Sequence, residues 1–329
     1  MERPADAAQL FEAARAGDRV ALARAITLLE SSRVADRRLA DELMRMALPY
    51  ADHALRLGIT GIPGVGKSTL IDALGRAAIK DGRRVAVLAT DPSSARSNGS
   101  ILGDKTRMEL LSRSEHAFIR PTASGGHLGG VARRTRETAM LCAAVGFDLI
   151  MIETVGVGQS ELEVDDMADL NLVLMIPGAG DELQGIKRGI MESADVVVLT
   201  KADGPTSAEH IGTRNGLKNS IAFLAPRDSG RLPDVLLTDA LTGTGVQELW
   251  KHVIALHQND LATGYFERRR QDQNVRWMHN AIREGLLESL LSAPAITQAL
   301  AQLETDVRNG SRGPFEAASA VLELLRKGV

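Results

Sequence analysis

The chain has 329 residues, 44% of them hydrophobic and 25% charged, with a formal net charge of −3 at pH 7. These values predict a globular α/β protein, either one large domain with appendages or two domains, and they argue against a nucleic-acid-binding face. One cysteine, Cys142, excludes an internal disulfide and a multi-cysteine zinc site, and the seven histidines show no metal-ligand spacing.

The N-terminal stretch predicts a small helical extension. Residues 5–50 alternate Ala and Leu with Arg and Glu at helical spacing, and Gly17-Asp18 forms a break followed by a helix N-cap. The first six residues carry acids and no apolar run, and no later run reaches the length of a membrane span. We therefore expect a cytoplasmic protein whose residues 1–50 pack against the main domain.

Residues 60–69 predict a phosphate-binding loop. Gly61, Gly66, Lys67 and Ser68 fit the pattern G-x-x-x-x-G-K-[ST], with an apolar run before it and a helical pattern after it. The glycines allow successive N–H groups to point into one concavity, next to the positive end of the following helix. We expect Lys67 to reach the β- and γ-phosphates and the Ser68 hydroxyl to bind Mg²⁺.

The next strand, Arg84 to Thr90, leads into Asp91. Carboxylates at the carboxyl ends of parallel strands lie in the ligand crevice, so Asp91 is a candidate for Mg²⁺ or for an activated water, with a helix N-cap as the alternative. The polar stretch Ser97 to Arg107 contains Asp104, a weaker candidate metal ligand, and a helix is predicted from Met108.

Pro121 to Gly130 is a second glycine-rich loop, which opens a helix predicted from Val131 to Val145. Because it contains no lysine, we interpret it as a connection rather than as an anion site.

The strand Phe147 to Glu153 then places a carboxylate at its end, followed three residues later by Gly156. An acid so placed can hold Mg²⁺ through water while the glycine N–H senses the γ-phosphate.

Two further strand ends predict the base-binding part of the site. Val196 to Thr200 leads into Thr200-Lys201-Ala202-Asp203, which resembles the [N/T]-K-x-D signature of guanine recognition. The carboxylate of Asp203 can accept both N1–H and the exocyclic amine of guanine. After the strand Asp234 to Asp239, Ala240 and Leu241 lie where a backbone N–H holds the guanine O6.

From Val246 onward the pattern is helical to the end of the chain, and apolar residues at spacings of three and four predict a helical hairpin. A second copy of the chain is a plausible packing partner for it. We interpret the basic run Arg268-Arg269-Arg270 as a solvated face. The predicted organisation is a helical extension (1–50), a P-loop domain with a mostly parallel, doubly wound sheet (51–260) and a helical arm (261–329).

Taken together, the stretches GIPGVGKST, DPSS at Asp91, ETVGVGQSE from Glu153 and TKAD from Thr200 resemble the MeaB/ArgK family of SIMIBI-class GTPases, the methylmalonyl-CoA mutase-associated G-proteins. The likeness covers nearly the whole chain. It implies a GTP-hydrolysing chaperone that binds an adenosylcobalamin-dependent methylmalonyl-CoA mutase, gates loading of the cofactor and protects the mutase from inactivation. It also implies a homodimer joined through the C-terminal arm.

The resemblance also implies roles for individual residues. Asp91, Asp104 and Glu153 are the acids around Mg²⁺ and the attacking water, and Ser68 binds the metal. Loops 92–107, 154–166 and 177–188 act as switches, with Lys187 in the third a candidate for signalling to the mutase. The phosphates of GTP or GDP are bound by Gly64, Val65, Gly66, Lys67, Ser68 and Thr69.

One departure from the Ras-like pattern affects the expected rate. Val157 stands directly after Gly156, where a Ras-like protein has glutamine. We therefore expect the intrinsic rate of GTP hydrolysis to be well below about 1 s⁻¹, with binding of the partner supplying the contribution that this glutamine makes in Ras-like proteins.

Three alternative functions stay open on the sequence. The first is a nucleotide-dependent kinase or ATPase linked to amino-acid transport, an older label for the ArgK branch. The second is a metal-insertion GTPase, against which the lack of a His-rich tail and of C-x-x-C speaks. The third is a cobalamin-binding module or structural subunit, but the chain lacks a D-x-H-x-x-G cobalamin signature, so we expect the cobalamin to belong to the partner.

Overall fold

A parallel β-sheet forms the centre of the computed structural model, which describes residues 6–31, 33–91, 108–123, 128–154, 164–176, 191–202, 208–291 and 293–326. Within these residues the sheet has seven strands in the order β3-β2-β4-β1-β5-β6-β7, and all neighbouring pairs are parallel. The predicted α/β fold is confirmed. The strands are β1 (Leu55–Gly61), β2 (Val85–Asp91), β3 (Ala117–Ala123), β4 (Leu149–Glu153), β5 (Leu170–Met175), β6 (Val196–Leu199) and β7 (Asp234–Leu237).

Helices cover both faces of this sheet. Because successive side chains of a strand point to opposite faces, Ile150 and Leu88 lie in one hydrophobic cluster and Met151 and Val87 in a second one on the other face. The helices of the described residues are α1 (Ala7–Arg15), α2 (Arg19–Glu30), α3 (Val34–Ala47), α4 (Lys67–Lys80), α5 (Glu109–Ser112), α6 (Leu128–Ala144), α7 (Ala208–Ile221), α8 (Val246–Ala262), α9 (Tyr265–Leu291), α10 (Pro294–Arg308) and α11 (Pro314–Arg326).

The N-terminal helices belong to the first of these clusters. Phe11, Ile26 and Leu43 are fully buried in the same cluster as Leu88 and Ile150 of the sheet. The Asp18 carboxylate accepts hydrogen bonds from the first-turn N–H groups of α2, as expected of an N-cap. The prediction that residues 1–50 form helices that pack against the main domain is confirmed for the part that the structure describes.

The region after Met108 differs from the sequence prediction. The helix predicted there is only the single turn α5, and the chain continues into the edge strand β3, for which no strand was predicted. Every residue of β3 pairs with β2, and Pro121 is tolerated because an edge strand has one unpaired side. Pro121 therefore belongs to a strand, not to the predicted loop, and α6 begins at Leu128, earlier than the predicted Val131.

The interpretation of Arg268-Arg269-Arg270 as a solvated face is wrong for two of the three residues. Arg268 is exposed, but Arg269 and Arg270 are only 8% and 6% exposed. Arg270 forms two hydrogen bonds with the carboxylate of Asp169, at 2.8 and 2.9 Å, and Arg269 donates to the carboxylate of Asp165 at 2.8 Å. Buried arginines require such partners, which contiguous sequence does not reveal.

Contacts between residues divide the chain into two compact units, Met1–Gln273 and Asn274–Val329. The second unit contains α10 and α11, whose facing sides bury Leu303 and Ala317. The extension, P-loop domain and arm proposed from the sequence remain a prediction. No helix among the described residues is long and apolar enough to cross a membrane.

Candidate nucleotide-binding site

The loop between β1 and α4 has the backbone that the phosphate-binding motif requires. Gly64 and Gly66 have φ values of +78° and +102°, in the left-handed region that favours glycine. A Cβ at Gly61 would lie 2.6 Å from the backbone oxygen of Leu174 in β5. The loop is therefore closed tightly against the sheet, and Val65 within it is fully buried.

Lys67, the first residue of α4, curls back over this loop. Its side chain is largely buried, and its ammonium group donates to the backbone oxygens of Gly61 at 2.7 Å and Ile62 at 3.2 Å. Among the described residues no side chain caps the N-terminus of α4, whose first turn also contains Ser68 and Thr69. The positive end of the helix and the Lys67 ammonium thus lie together, an arrangement suited to a polyphosphate.

Ser68 and Glu153 bring two oxygen ligands together at the same edge of the sheet. The Ser68 hydroxyl donates to Oε1 of Glu153 at 3.0 Å, although 85 residues separate them in sequence. The strand register explains this, since Glu153 at the end of β4 pairs with Ile59 of β1 just before the loop. A hydroxyl and a carboxylate are hard oxygen ligands of the kind Mg²⁺ prefers.

The described residues contain no group of three or more His, Cys, Asp or Glu placed to hold a metal. Two oxygen ligands from the protein are compatible with Mg²⁺, which usually keeps several waters and binds through one or two protein groups together with substrate phosphates. Asp91 ends β2, the strand next to β4, and its backbone is at the same edge of the sheet.

Thr154, the residue after Glu153 and the first of the predicted switch 154–166, has a structural role that the sequence did not predict. Its side chain is buried and its hydroxyl donates to the hydroxyl of Thr60 at 2.9 Å, while its N–H donates to the backbone oxygen of Ile59 at 3.1 Å. These bonds join the end of β4 to the end of β1. The sequence shows a threonine directly after the acid at this strand end, but it does not show that the hydroxyl of Thr60 is its hydrogen-bond partner.

The predicted base signature is bonded directly to the phosphate-binding loop. The buried Thr200 hydroxyl donates to the backbone oxygen of Val65 at 2.7 Å, and the Lys201 ammonium donates to that of Gly64 at 2.8 Å. Lys201 has φ +56°, the one positive value of a non-glycine residue in the described part of the chain. Thr200 and Lys201 thus join two loops that are about 135 residues apart in sequence.

The turn after β7 is organised by Asp239, which sequence analysis placed at the end of the strand and gave no role. Its buried carboxylate accepts hydrogen bonds from the N–H of Leu241 at 2.9 Å and of Thr242 at 3.4 Å. Burial works to raise the pKa of Asp239, but hydrogen bonds from the Leu241 N–H and from the side chain and N–H of Thr242 outweigh it and hold the pKa below its usual value. An aspartate two residues before a turn N–H is a recognisable signal for such a turn.

Other predicted site residues lie outside the described residues. They are Asp104, Gly156 and Asp203, together with Lys187 of the third predicted switch. The side chain of Asp91 is likewise outside the description. Of the predicted site, the structure therefore brings together the phosphate loop, Glu153, Thr200, Lys201 and the turn that contains Ala240 and Leu241.

Known proteins resemble the chain over nearly its whole length. The family model described as "Methylmalonyl Co-A mutase-associated GTPase MeaB" matches residues 22–295. The GTPase ArgK of Escherichia coli K12 is 41% identical over 326 residues, which cover 99% of this chain and 98% of that protein. The "methylmalonic aciduria type A homolog, mitochondrial" of Mus musculus is 41% identical over 320 residues, covering 94% of this chain and 77% of that protein.

A solved structure supports the same relationship. The crystal structure described as a LAO/AO transport system kinase superimposes with a TM-score of 0.75 at 34% sequence identity, and 99% of each chain is covered. The likeness therefore includes the extension and the helical C-terminal part as well as the sheet.

Proposed function

The chain belongs to the MeaB family of methylmalonyl-CoA mutase-associated GTPases, and on this premise we propose that it is the GTP-dependent chaperone of an adenosylcobalamin-dependent methylmalonyl-CoA mutase. It is a GTPase, as its relatives are named. In the proposed function it binds the mutase in the cytoplasm, gates loading of the cofactor and protects the mutase from inactivation. The cobalamin is held by the mutase and not by this chain.

The site supports GTP hydrolysis through charge and position. Lys67 and the N-terminus of α4 neutralise the phosphates, and the loop N–H groups orient them. Ser68 and Glu153, with Asp91 and Asp104, would hold Mg²⁺, which neutralises charge on the β- and γ-phosphate oxygens when it is bound. In this proposal Gly156 senses the γ-phosphate and one of the acids orients the attacking water.

Guanine recognition is assigned to the segment after β6, which is bonded to the phosphate loop, and to the turn after β7. Asp203 accepts from N1–H and the exocyclic amine, Lys201 lies along the base, and the turn with Ala240 and Leu241 supplies an N–H to O6. The bonds of Thr200 and Lys201 to the phosphate loop support this assignment, because they hold base and phosphate subsites at a constant separation.

The remaining parts of the proposal concern communication with the mutase. Loops 92–107, 154–166 and 177–188 act as switches, and Lys187 signals to the mutase. The arm, residues 261–329, joins two copies into a homodimer. Its exposed apolar residues, which support this role, include Val275, Met278, Ile282, Leu286 and Phe315.

The observation that carries the nucleotide chemistry is the Ser68–Glu153 hydrogen bond beside Lys67. The test is the hydrolysis rate of the purified chain, alone and with methylmalonyl-CoA mutase, with ATP as the control nucleotide. We expect slow hydrolysis of GTP alone, strong acceleration by the mutase and no turnover of ATP. A GTP rate that the mutase does not change would remove the mutase as the partner, and equal rates with ATP would favour a kinase or ATPase.

Guanine specificity has its own test. The Asp203→Asn variant is expected to lose affinity for GDP and to gain affinity for xanthosine diphosphate, because an amide can pair with the 2-oxo group of xanthine but not with the amine of guanine. Binding of both nucleotides is measured by isothermal titration. Unchanged preference for GDP would show that Asp203 does not contact the base.

A further inference from the structure

The turn between β7 and α8 has one backbone donor left over. Within residues 240–243 the N–H of Leu241 and of Thr242 donate to the Asp239 carboxylate, and the N–H of Gly243 donates to the Asp239 backbone oxygen at 2.9 Å. The N–H of Ala240 has no acceptor among the described residues. Asp239 thus receives the other three donors and leaves that of Ala240 available.

The same residue anchors the turn on the sheet. The Asp239 N–H donates to the backbone oxygen of Thr244 at 2.9 Å, which closes the turn as an antiparallel bridge. Just before it, Thr238 accepts from the N–H of Ala202 at 3.3 Å and donates to the backbone oxygen of Leu199 at 2.8 Å. These bonds place the turn beside the Thr200-Lys201 signature.

We propose that Asp239 is a positioning residue for guanine specificity, which shapes this turn so that the Ala240 N–H is presented to the O6 atom of the base. The inference rests on the proposed guanine site and adds a residue to it. Asp239 itself does not contact the nucleotide. The Leu241 N–H, whose acceptor is Asp239, is not the donor to O6, even though sequence analysis included Leu241 with Ala240.

This role predicts a selective effect on one atom of the ligand. In 6-thioguanosine diphosphate, sulfur replaces O6 while N1–H, the 2-amine and the phosphates are retained, and sulfur is a weak acceptor. One neutral hydrogen bond corresponds to about a five- to tenfold difference in affinity. We expect the unmodified chain to prefer GDP to 6-thio-GDP by about that factor.

The experiment measures the dissociation constants of GDP and 6-thio-GDP for the full chain and for two variants. In Asp239→Ala we expect GDP affinity to fall about five- to tenfold and 6-thio-GDP affinity to change less than about twofold, so the preference disappears. Asp239→Asn keeps an acceptor oxygen and should restore most of the preference. Asp234→Ala is the matched control, since its carboxylate is 58% exposed on β7 and should leave both affinities unchanged.

Each outcome decides between structure and specificity. If Asp239→Ala lowers the affinity for GDP and for 6-thio-GDP by the same factor, Asp239 supports the fold only and the proposal is overturned. If the unmodified chain shows no preference for GDP over 6-thio-GDP although Asp203→Asn switches to the xanthine nucleotide, the guanine site stands and the role of Asp239 fails. If the unmodified chain shows no preference for GDP over 6-thio-GDP and Asp203→Asn does not switch to the xanthine nucleotide, the proposed guanine site itself is wrong.

A second measurement covers the case in which Asp239→Ala does not fold. In the unmodified chain labelled with ¹⁵N-alanine, the amide signal of Ala240 is identified by its loss in Ala240→Gly. It should shift more on binding GDP than on binding 6-thio-GDP, because only the former places a strong acceptor on it. Equal shifts with the two nucleotides would overturn the proposal without any change at Asp239.

Discussion

The two ends of the parallel sheet use charged side chains in different ways. At the carboxyl end, the ammonium groups of Lys67 and Lys201 donate to backbone oxygens of the phosphate loop. At the amino end, buried ion pairs join loops and helices to the starts of the strands. We call this set the amino-end cluster; it consists of Arg56, Asp165, Asp169, Asp195, Arg227, Arg231, Asp260, Arg269 and Arg270.

The different partners of these cationic side chains fit the roles proposed for the two ends of the sheet. A backbone carbonyl that accepts from an ammonium group carries no net charge, so these bonds orient the ammonium groups of Lys67 and Lys201 without neutralising them. Cations paired with buried carboxylates are neutralised and satisfied, as Arg270 is by Asp169, and serve the structure. Cationic side chains are thus bonded to backbone oxygens at one end of the sheet and to buried carboxylates at the other, and we propose that the first arrangement serves nucleotide binding and the second stability.

The largest expected effect is the loss of stability in Arg270→Ala. It leaves the Asp169 carboxylate, 3% exposed, without its arginine and removes donors from the backbone oxygens of Asp52 and Ala54. Breaking a buried pair in this way costs about 3–5 kcal/mol of unfolding free energy. Urea unfolding followed by circular dichroism measures it.

Arg268→Ala is the control for this prediction. Arg268 belongs to the same basic run but is exposed, so its loss should change the unfolding free energy by no more than about 0.5 kcal/mol. Equal effects of the two variants would contradict a structural role for the amino-end cluster.

At the carboxyl end, Lys67→Met should reduce the GTP hydrolysis rate by about 10²- to 10³-fold. The reason is loss of a positive charge next to the phosphates, while methionine retains most of the side-chain volume. Lys80→Met, an exposed position in the last turn of the same helix, should leave the rate unchanged. Steady-state phosphate release is measured for both, and a similar rate in both variants would place the phosphates elsewhere.

Thr200→Val tests the bond between the base and phosphate subsites. The nearly isosteric valine leaves the Val65 backbone oxygen without its donor, so we expect a loss of about 1–3 kcal/mol in unfolding free energy and weaker GDP binding. Thr238→Val is a matched control, because the buried Thr238 hydroxyl has no hydrogen-bond partner among the described residues. That variant should be neutral or slightly more stable, and a comparable loss in it would refute the role of the Thr200 bond.

The smallest expected effect is a pH dependence at the amino end. Burial works to raise the pKa of Asp165, but Arg269 and Arg227 outweigh it and hold that pKa below its ordinary value of 3.8. The ionised carboxylate therefore contributes stability that is present above about pH 4 and is lost as the pH falls through the lower pKa of the folded state.

Asp165→Asn removes that titration. The urea midpoint of the variant should fall less steeply than that of the unmodified chain between pH 5 and pH 3, values chosen to span the carboxylate range of about 4. Identical slopes would show that Asp165 does not titrate differently on folding.

The residues of the site that lie in contiguous motifs could be predicted from the sequence. The phosphate loop depends on local backbone geometry, in which Gly64 and Gly66 take positive φ values and Lys67 follows at the helix start. Strand ends could also be predicted from local sequence, since an apolar run followed by a polar residue marks the end of a buried strand. Glu153 and Thr200 were located correctly at their edge of the sheet by this argument alone.

The edge strand β3 was missed because its sequence has weak local signals. Phe118 and Ile119 stand between a polar turn and Pro121, and the strand exists because its backbone pairs with β2 along its whole length. Pairing with a distant strand is a tertiary property, which local propensity does not determine.

The sequence by itself thus determined the family, the parallel α/β fold and the position of the glycine-rich loop at the carboxyl end of the sheet, because each depends on short motifs and on hydrophobic periodicity. Only the tertiary structure decided that Arg269 and Arg270 are buried and that Asp239 organises the turn before α8. The physical reason is that burial of a charge depends on whether a partner reaches it. The partner of Arg270 lies 101 residues away in the chain.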